Sequence, residues 1–286
     1  MMKDYALIAT AYNNMVRIYV GTTTNLVEEA RNIHNTWPTA TAAFGRTLTV
    51  SALMGLMYKD EEQITIRIKG DGPIGNIFVE ANPNGTVRGE IQNGQVYLKK
   101  GEKLDVGKAV GNGFLYVTKD LKLKDYYTSS SELQTSEIAE DFTYYFAVSE
   151  QTPSSVGLGV LVDIDSSVKS SGGYILQLMP NTTEEVIVQV ENVIKNLKPI
   201  STLIAENKTP EDILNILASN TEKILKKQPL KYYCPCSKES FGKALQKLDK
   251  NTLNEIITED GQAEIICHFC HKKYIFSKDE LKQLIK

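Results

Sequence analysis

The sequence predicts an α+β fold, with a mixed α/β N-terminal region, a helical segment and a small C-terminal module. Short β-prone segments alternate with helical ones over residues 1–180, and short amphipathic helices follow over 181–230. All four cysteines lie in the remaining segment, 231–286. A chain of 286 residues with 42% hydrophobic content can bury one large core and a smaller one.

The N-terminal segment predicts a hairpin followed by two helices. Strands are expected over Tyr5–Ala11 and 15–21, because both segments are β-prone and the Asn-Asn pair between them favours a turn. Asn25 can cap a helix that continues to residue 35. A longer and more buried helix is expected over 39–58, where Ala, Leu and Met recur at helical spacing.

Strands follow these helices. Segment 64–69 alternates isoleucine with polar residues, which is the pattern of a half-buried strand, and further strands are expected over 75–80, Thr86–Ile91 and 114–118. The glycine-rich segment 70–75 lacks the Lys and Ser or Thr of a phosphate-binding loop and precedes a strand rather than a helix. We therefore expect a tight turn there.

Residues 181–230 predict amphipathic helices. The first helix is interrupted by Pro199, and the second begins with Thr209 as N-cap and Pro210 at its first position. The apolar residues of the first are Val186, Val190, Val193, Ile194 and Leu197, and those of the second are Ile213, Leu214, Ile216 and Leu217, with Ile224 and Leu225 two turns on. This periodicity fits a bundle packed on the preceding domain, and equally a conditionally stable segment whose apolar face becomes exposed.

Residues 231–286 are too few to form a strong core unaided, since domains below roughly 70 to 80 residues generally need a metal, disulfides or a partner surface. Ser277 and Glu280 form a capping box that opens a final helix. The apolar residues of the module are Phe241, Leu245, Leu248, Leu253, Ile256, Ile257, Ile265, Ile266, Tyr274, Ile275, Phe276, Leu281, Leu284 and Ile285.

The cysteines form two close pairs, Cys234 with Cys236 and Cys267 with Cys270, separated by thirty residues. Zinc binds four thiolates tetrahedrally, and each short pair can supply two sulfurs from one turn. The spacing therefore predicts one Zn²⁺ site formed by all four cysteines. The same pairs could close as disulfides without metal, so the site could also respond to oxidants.

Other interpretations of these cysteines fit less well. The segment 267–271 matches the Cys-x-x-Cys-His pattern of haem attachment, but that pattern belongs mainly to exported proteins, and the N-terminus shows no export signal. A thioredoxin-type pair would open a helix, whereas strands are expected here over 264–267 and 272–276. His268 and His271 could replace a ligand, but four thiols already complete the shell. A cytoplasmic location, where thiols stay reduced, is expected.

No catalytic arrangement is evident in the first domain. Ser149, Glu140, Asp141 and Glu150 have no evident histidine partner, so we expect a protein that is not an enzyme. The net charge of −3 gives no reason to expect nucleic acid as a partner. No apolar run approaches the ~20 residues needed to span a membrane.

The chain resembles the redox-regulated heat-shock protein 33 family over essentially its whole length. The two cysteine pairs carry the resemblance together with five further motifs. These are GDGPIG at 70–75, VRG at 87–89, EIAED at 137–141, YYF at 144–146 and SEQTP at 149–153. The motifs are specific in combination. The family often has an arginine soon after the first cysteine pair, where this chain has Ser237 to Phe241, so no role is assigned to those positions.

This resemblance implies an ATP-independent cytosolic holdase with a core domain over 1–180, a helical linker over 181–230 and a C-terminal zinc-binding redox switch over 231–286. It implies that the reduced, zinc-bound form is inactive. Oxidation would pair Cys234 with Cys236 and Cys267 with Cys270, release zinc, unfold the switch and expose a surface that binds unfolding client proteins. Activated members of the family form homodimers. The resemblance does not identify the client-binding surface of this chain.

Backbone geometry predicts an order for the two disulfides. A Cys-x-x-Cys pair closes readily, whereas an extended Cys-x-Cys pair lies at or beyond the ~6.8 Å upper end of usual Cα separations. We therefore expect Cys267 and Cys270 to oxidise first. A zinc-ribbon nucleic-acid-binding protein and a thiol-disulfide oxidoreductase are the alternative functions.

Overall fold

The chain divides between Tyr233 and Cys234 into two units, each with its own hydrophobic core. The structure is a computed structural model that describes residues 3–284. Both units combine helices with antiparallel strands, so the predicted α+β class is confirmed.

The first unit alternates strands and helices along the chain. Its strands are β1 (Tyr5–Ala11), β2 (Val16–Thr22), β3 (Gln63–Gly70), β4 (Asn76–Ala81), β5 (Thr86–Ile91), β6 (Lys99–Lys100), β7 (Lys103–Leu104), β8 (Gly113–Asp120), β9 (Tyr127–Glu132), β10 (Ser154–Val162), β11 (Val168–Leu178), β12 (Lys223–Pro229) and β13 (Lys231–Tyr232). Its helices are α1 (Thr24–His34), α2 (Pro38–Gly55), α3 (Val106–Val110), α4 (Ala139–Val148), α5 (Glu184–Asn196), α6 (Ile200–Ala205) and α7 (Pro210–Ala218).

Two sheets form the frame of this unit. The five-stranded sheet has the order β10-β11-β2-β1-β12 and is antiparallel throughout. The six-stranded sheet has the order β13-β5-β4-β3-β8-β9, and only β13 runs parallel to its neighbour. The glycine-rich segment 70–75 connects β3 to β4, as predicted. A side chain at Gly72 would lie 2.5 Å from the Ala109 carbonyl oxygen, so the turn needs glycine there.

Helix α2 lies between the two sheets. It packs against β10 and β11 of one sheet and β3, β4 and β5 of the other, and nearly all of its residues are buried. Its buried hydroxyls are satisfied within the helix, since Thr47, Thr49 and Ser51 each donate to the carbonyl four residues earlier. The predicted 39–58 helix therefore exists, ending at Gly55.

Helices α5, α6 and α7 cover the outer face of the five-stranded sheet. Their buried residues join those of β1, β2 and β11 in a second core cluster. Thr209 caps α7 as predicted, accepting the Asp212 amide at 3.2 Å while its own amide donates to the Asp212 carboxylate. Only Val190 of α5 is buried, so that helix is the least covered of the three.

The helical prediction for 181–230 is wrong over its last part. Residues 223–229 form strand β12, which pairs antiparallel with β1 and includes Ile224 and Leu225. Ser219 and Asn220 adopt left-handed conformations that end α7, and the edge of β1 supplies backbone partners for the extended chain. Pairing with β1 therefore determines the conformation of 223–229, where the helical prediction rested only on Ile224 and Leu225.

The chain then joins both sheets just before the first cysteine pair. Leu230 donates its amide to the Asp4 carbonyl, and Tyr232 is buried with its hydroxyl 2.9 Å from the Gly89 carbonyl. The Tyr233 amide donates to the Val87 carbonyl. The last residues of the first unit are thus hydrogen-bonded to the segment before β1 and to β5.

The second unit is a small α+β module. Its elements are α8 (Lys238–Leu245), α9 (Lys250–Glu259), β14 (Gln262–Ile266), β15 (Lys273–Ser277) and α10 (Lys278–Leu284). The predicted capping box is present, because the Ser277 amide donates to the Glu280 carboxylate at 2.9 Å. The buried residues of its hydrophobic core are Leu245, Leu253, Ile257, Phe276 and Leu281. Ile285, included in the predicted apolar set, lies outside the described residues.

Within residues 3–284, none of the helices combines the length and the apolar character that crossing a membrane requires.

Candidate metal centre

The first cysteine pair lies in the loop that opens the second unit. Cys234 and Cys236 are partly exposed, and Ser237 directly afterwards caps α8 by accepting the Ser240 amide at 3.1 Å. Because α8 begins at Lys238, the loop around the pair is held from its C-terminal side.

The second pair lies on the turn between β14 and β15. Cys267 is buried, its amide donates to the Lys272 carbonyl, and its carbonyl accepts the His271 amide at 2.8 Å. His271 adopts a left-handed conformation with φ 54°, which closes the turn. The predicted strands on both sides are present, so the pair does not open a helix as a thioredoxin-type site requires.

The four sulfur atoms converge on one point. The Sγ atoms of Cys234 and Cys267 are 3.7 Å apart, those of Cys236 and Cys270 are 3.2 Å apart, and all four lie within 4.8 Å of one another. Four thiolates at about 2.3 Å from a tetrahedral Zn²⁺ would be about 3.8 Å apart. The four cysteines are therefore positioned to hold a metal ion, and the all-sulfur donor set fits zinc.

Tyr274, a residue of β15, completes the surroundings of the site. Its hydroxyl lies 3.2 Å from the Cys236 sulfur and donates to the Cys236 carbonyl at 3.0 Å, while its ring packs 5.2 Å from that of Phe241. From the sequence, Tyr274 is expected only as one of the apolar residues of the module. Nothing in the sequence pairs this hydroxyl with a cysteine thirty-eight positions away.

The thiols differ in acidity. Burial disfavours the Cys236 thiolate, but hydrogen bonds from Tyr274 and from the neighbouring thiols, Cys270 first, outweigh it and lower the pKa of Cys236 to about 7. Burial raises the pKa of Cys270 well above its usual range. The hydrogen bond to Cys236 raises the pKa of Tyr274 to about 12, so this phenol stays a donor at neutral pH. Without metal, Cys236 therefore ionises more readily than Cys270.

The histidines near the second pair are not part of the sulfur cluster. Among the described residues, the group of side chains close enough to share an ion at this site consists of the four cysteines. His268 and His271 are both exposed. That four thiols complete a zinc shell stays a prediction.

The carboxylates considered as catalytic candidates have structural partners in the first unit. Asp141 accepts hydrogen bonds from backbone amides, and Glu150 contacts the Tyr145 hydroxyl and the Lys119 ammonium at 2.7 Å. Ser149 ends α4. These contacts place Asp141, Ser149 and Glu150 in or beside α4 and give each carboxylate a structural partner.

Comparison with known proteins identifies the family. A family model described as "Hsp33 protein" matches residues 4–277. The chain belongs to the Hsp33 family. Among Hsp33 relatives, the 33 kDa chaperonin of Acholeplasma laidlawii is 53% identical over 289 residues, covering 99% of both chains. That of Bacillus subtilis is 47% identical over 284 residues, covering 98% of both.

A solved Hsp33 structure has the same fold. The crystal structure of the 33 kDa chaperonin (heat shock protein 33 homolog) from Thermotoga maritima matches with a TM-score of 0.90 and 37% identity. The match covers 99% of this chain and 98% of that one. The family resemblance stated from the sequence motifs is thus confirmed.

Proposed function

We propose that this Hsp33-family chain is a redox-regulated, ATP-independent holdase of the cytoplasm that binds unfolding proteins and prevents their aggregation under oxidative and heat stress. In this proposal residues 1–180 form the core domain, 181–230 the linker and 231–286 the redox switch. The chain acts by binding rather than by catalysis. Its partners are unfolded client proteins and, when activated, a second copy of itself.

The observation that carries this proposal is that the sulfur cluster lies in a unit with a very small hydrophobic core. Five buried apolar side chains are the core of the second unit, and the four cysteines join its first loop to its central hairpin. When bound, Zn²⁺ would cross-link these segments, and such sites contribute about 10 to 16 kcal/mol of apparent binding free energy that is coupled to folding. Loss of that cross-link should unfold the module.

Oxidation provides a way to lose the cross-link. Two thiols and one hydrogen peroxide give one disulfide and two molecules of water, so each pair transfers two electrons to the oxidant. Pairing Cys234 with Cys236 and Cys267 with Cys270 would consume all four sulfur ligands and release Zn²⁺ to solution. A disulfide within each pair would leave the two ends of the module without a connection through the site.

The consequence proposed for the linker follows from the helices before the switch. Helix α5 has one buried residue, and Val188, Ile216, Ile224 and Leu225 are already more than a third exposed. Helix α5 should therefore open at a lower free-energy cost than α6 and α7, whose buried residues belong to the second core cluster. We infer that unfolding of the switch favours opening of this linker, which would add apolar surface for clients.

We expect Cys267 and Cys270 to form the first disulfide. These residues lie on one hairpin turn, whereas an extended Cys-x-Cys pair lies at or beyond the ~6.8 Å upper end of usual Cα separations. The low pKa of Cys236 favours attack by that sulfur only once the metal is gone. Mass mapping of disulfides during a peroxide time course measures the order. A disulfide between Cys234 and Cys236 while Cys267 and Cys270 are still reduced, or a bond between the two pairs, would contradict this prediction.

The holdase proposal is tested by the aggregation of a heated client protein without ATP, measured by light scattering. Oxidised, metal-free protein should suppress aggregation, and reduced, zinc-loaded protein should not. Suppression by neither form would refute the holdase, and equal suppression by both would leave the metal site a structural clip. Catalytic turnover of a disulfide substrate in the same preparation would instead support an oxidoreductase.

A further inference from the structure

Strand β9 forms the free end of the six-stranded sheet. Its ladder with β8 is continued by the bond from the Leu133 amide to the Gly113 carbonyl, so odd-numbered residues of β9 direct their backbone groups toward β8. The backbone groups of Thr128, Ser130 and Glu132 therefore point away from the sheet. All three residues are exposed. Their outward amides can donate to a further strand.

The other long edges of the two sheets are protected. Strand β12 carries Lys223, Lys226, Lys227 and Pro229, and its pairing with β1 contains a register shift. In β10, the outward Val156 amide donates to the Thr143 hydroxyl of α4, and the register with β11 also shifts. Lysines, prolines, bulges and covering helices are the usual means by which proteins prevent strand addition.

Strand β9 has no lysine, no proline and no register shift, and the end of α4 approaches its edge only at Ser130. Its sequence is Tyr-Thr-Ser-Ser-Ser-Glu, and its pairing with β8 is regular from Tyr127 to Glu132. Side chains reach two of its outward carbonyls. The side-chain amide of Gln134 donates to the Glu132 carbonyl at 3.1 Å, and the Ser149 hydroxyl lies 3.5 Å from the Ser130 carbonyl oxygen. The outward amides of Thr128 and Ser130 have no such side chain among the contacts of the described residues.

Aromatic side chains lie beside this edge. The register places Phe114 opposite Glu132 and Tyr116 opposite Ser130, on the sheet face that turns away from α2. Phe114 is 42% exposed, and Tyr126 and Tyr127 at the start of the strand are 72% and 55% exposed. Because serine and threonine are small, apolar side chains on an added strand could pack over Ser130 and Thr128 toward Phe114 and Tyr116, which lie on the same face.

We propose that an extended segment of a client protein, apolar at every second residue, adds to β9 as an antiparallel seventh strand. Backbone hydrogen bonds would supply affinity for any extended chain, and the aromatic rings would select alternating apolar residues. This inference rests on the proposed holdase function and assigns part of its client surface. It requires only an unfolded chain, which has unpaired backbone groups of its own.

A second copy of this chain fits the same edge less well. In a two-fold pairing of β9 with β9, Ser130 would face its counterpart and Thr128 would face Glu132. All three side chains are polar, so such a partner would offer no apolar group to cover Phe114 and Tyr116. A client segment that alternates valine with a polar residue does offer apolar side chains to cover these rings.

Backbone methylation of a probe peptide tests the proposal with the unmodified protein. The probe is a ten-residue peptide of alternating valine and threonine with a lysine at each end, and its binding to full-length protein is measured by fluorescence anisotropy. Antiparallel addition aligns the valines with Ser130, so N-methylation of the valine amides should weaken binding at least about tenfold. Methylation of the threonine amides should leave binding within about twofold. Equal effects of both sets, or loss from the threonine set alone, would overturn the proposal.

Variants of Ser130 provide the matched protein test. Ser130→Pro removes the outward amide and leaves the ladder with β8 complete, so it should weaken peptide binding at least about tenfold. Ser130→Ala keeps the amide and should bind like wild type. Ser130→Lys, which introduces the protection found in β12, should also weaken binding if the proline variant proves unstable. Unchanged binding by folded proline and lysine variants would contradict strand addition at β9.

The outcomes separate this inference from the holdase proposal. If wild-type protein suppresses client aggregation and Ser130→Pro suppresses it equally, the β9 site is wrong and the holdase stands. If no form suppresses aggregation, the holdase fails, while peptide binding still reports on the edge directly. Loss of dimers in the proline variant, measured by sedimentation without peptide, would assign β9 to a second copy and overturn the client site.

Discussion

A single buried carboxylate organises the loop before α4. Asp141 is 1% exposed and accepts backbone amides from both ends of the loop. The donors are Gln134 at 2.7 Å, Thr135 at 3.0 Å, Ser136 at 3.1 Å and Ile138 at 2.8 Å. These bonds hold Ile138 at φ 75°, a conformation that β-branched residues rarely adopt. The EIAED motif therefore has a structural role, since its last residue fixes the backbone of its second.

Replacing this carboxylate should be costly. We expect Asp141→Ala to lower the free energy of unfolding by about 3 to 5 kcal/mol, because it leaves several buried amides without an acceptor. The exposed neighbour Glu140 is the matched control, and Glu140→Ala should change stability by less than about 0.5 kcal/mol. Denaturant unfolding of the three proteins measures both values. A loss below about 1 kcal/mol for Asp141→Ala would show that the loop does not depend on the carboxylate.

Asp4 gives the protein a pH-dependent stability term. Burial raises the pKa of Asp4 to about 6, although the backbone amide of Leu26 donates to it at 2.8 Å. The folded state therefore binds the proton more tightly than the unfolded chain. This contribution is fully present below about pH 4 and is lost as pH rises through 6, a change of about 3 kcal/mol.

The difference between wild type and Asp4→Asn isolates this term. The variant keeps an oxygen that can accept the α1 amide but does not titrate. Wild type should lose about 3 kcal/mol relative to the variant between pH 4 and pH 7, measured by urea unfolding at each pH. A constant difference over that range would mean that Asp4 has an ordinary pKa in the folded protein.

At the scale of elements, the packing of α6 against the five-stranded sheet depends on glycines in β10 and β11. A methyl group at Gly159 would lie 2.6 Å from the Ser201 amide nitrogen, and one at Gly172 would lie 2.5 Å from the Ile204 side chain. The Ser170 hydroxyl donates to the Ser201 carbonyl at 2.7 Å. This short helix therefore approaches the sheet backbone closely, in addition to burying Ile200, Leu203 and Ile204.

Gly159→Ala tests that contact. We expect a loss of about 1 to 3 kcal/mol in unfolding free energy and faster amide exchange in α6, because the added methyl group displaces the helix from the sheet. Gly242→Ala in α8 is the control. Its methyl group would meet only ordinary contacts, the nearest at 3.6 Å, and should stabilise that helix by about 0.5 to 1 kcal/mol. Equal effects of the two substitutions would contradict the account.

Elements with strong local signals were predictable, and those defined by pairing were not. The capping residues Thr209 and Ser277 and the alternating isoleucines of β3 each carry their signal within a few positions. Strands β10 and β11 contain the glycines and serines that close packing requires, which removes the alternation a prediction depends on. Strand β12 forms because β1 offers it backbone hydrogen-bond partners, and no local sequence pattern in 223–229 indicates this pairing.

At the scale of the whole molecule, the metal should stabilise one unit and leave the other unaffected. Chelation of zinc from reduced protein should unfold residues 234–284, because their core of five buried side chains is too small to be stable alone. The first unit has its own two core clusters and should stay folded. Hydrogen exchange followed by mass spectrometry distinguishes the units, with β3 as the internal reference.

Cys270→Ser gives the same result by substitution, since it removes one of four sulfur ligands. We expect fast exchange in α9 and β14 of this variant at zinc concentrations that protect wild type, and unchanged exchange in β3. Protection of α9 and β14 in chelated protein would mean that the second unit folds without metal. Loss of protection in β3 as well would mean that the two units do not unfold independently.

The sequence by itself determined the α+β class, the two cysteine pairs that could hold a metal ion and the family, because each is recorded in spacing and short motifs. Two cysteine pairs need only a folded spacer to converge, so a metal site can be predicted from their spacing before the fold is known. Only the tertiary structure decided that Tyr274 contacts Cys236, that β12 closes the first sheet and that β9 leaves an edge open. Those features depend on which distant segments become neighbours, and that outcome is set by the packing of the whole chain rather than by any local pattern.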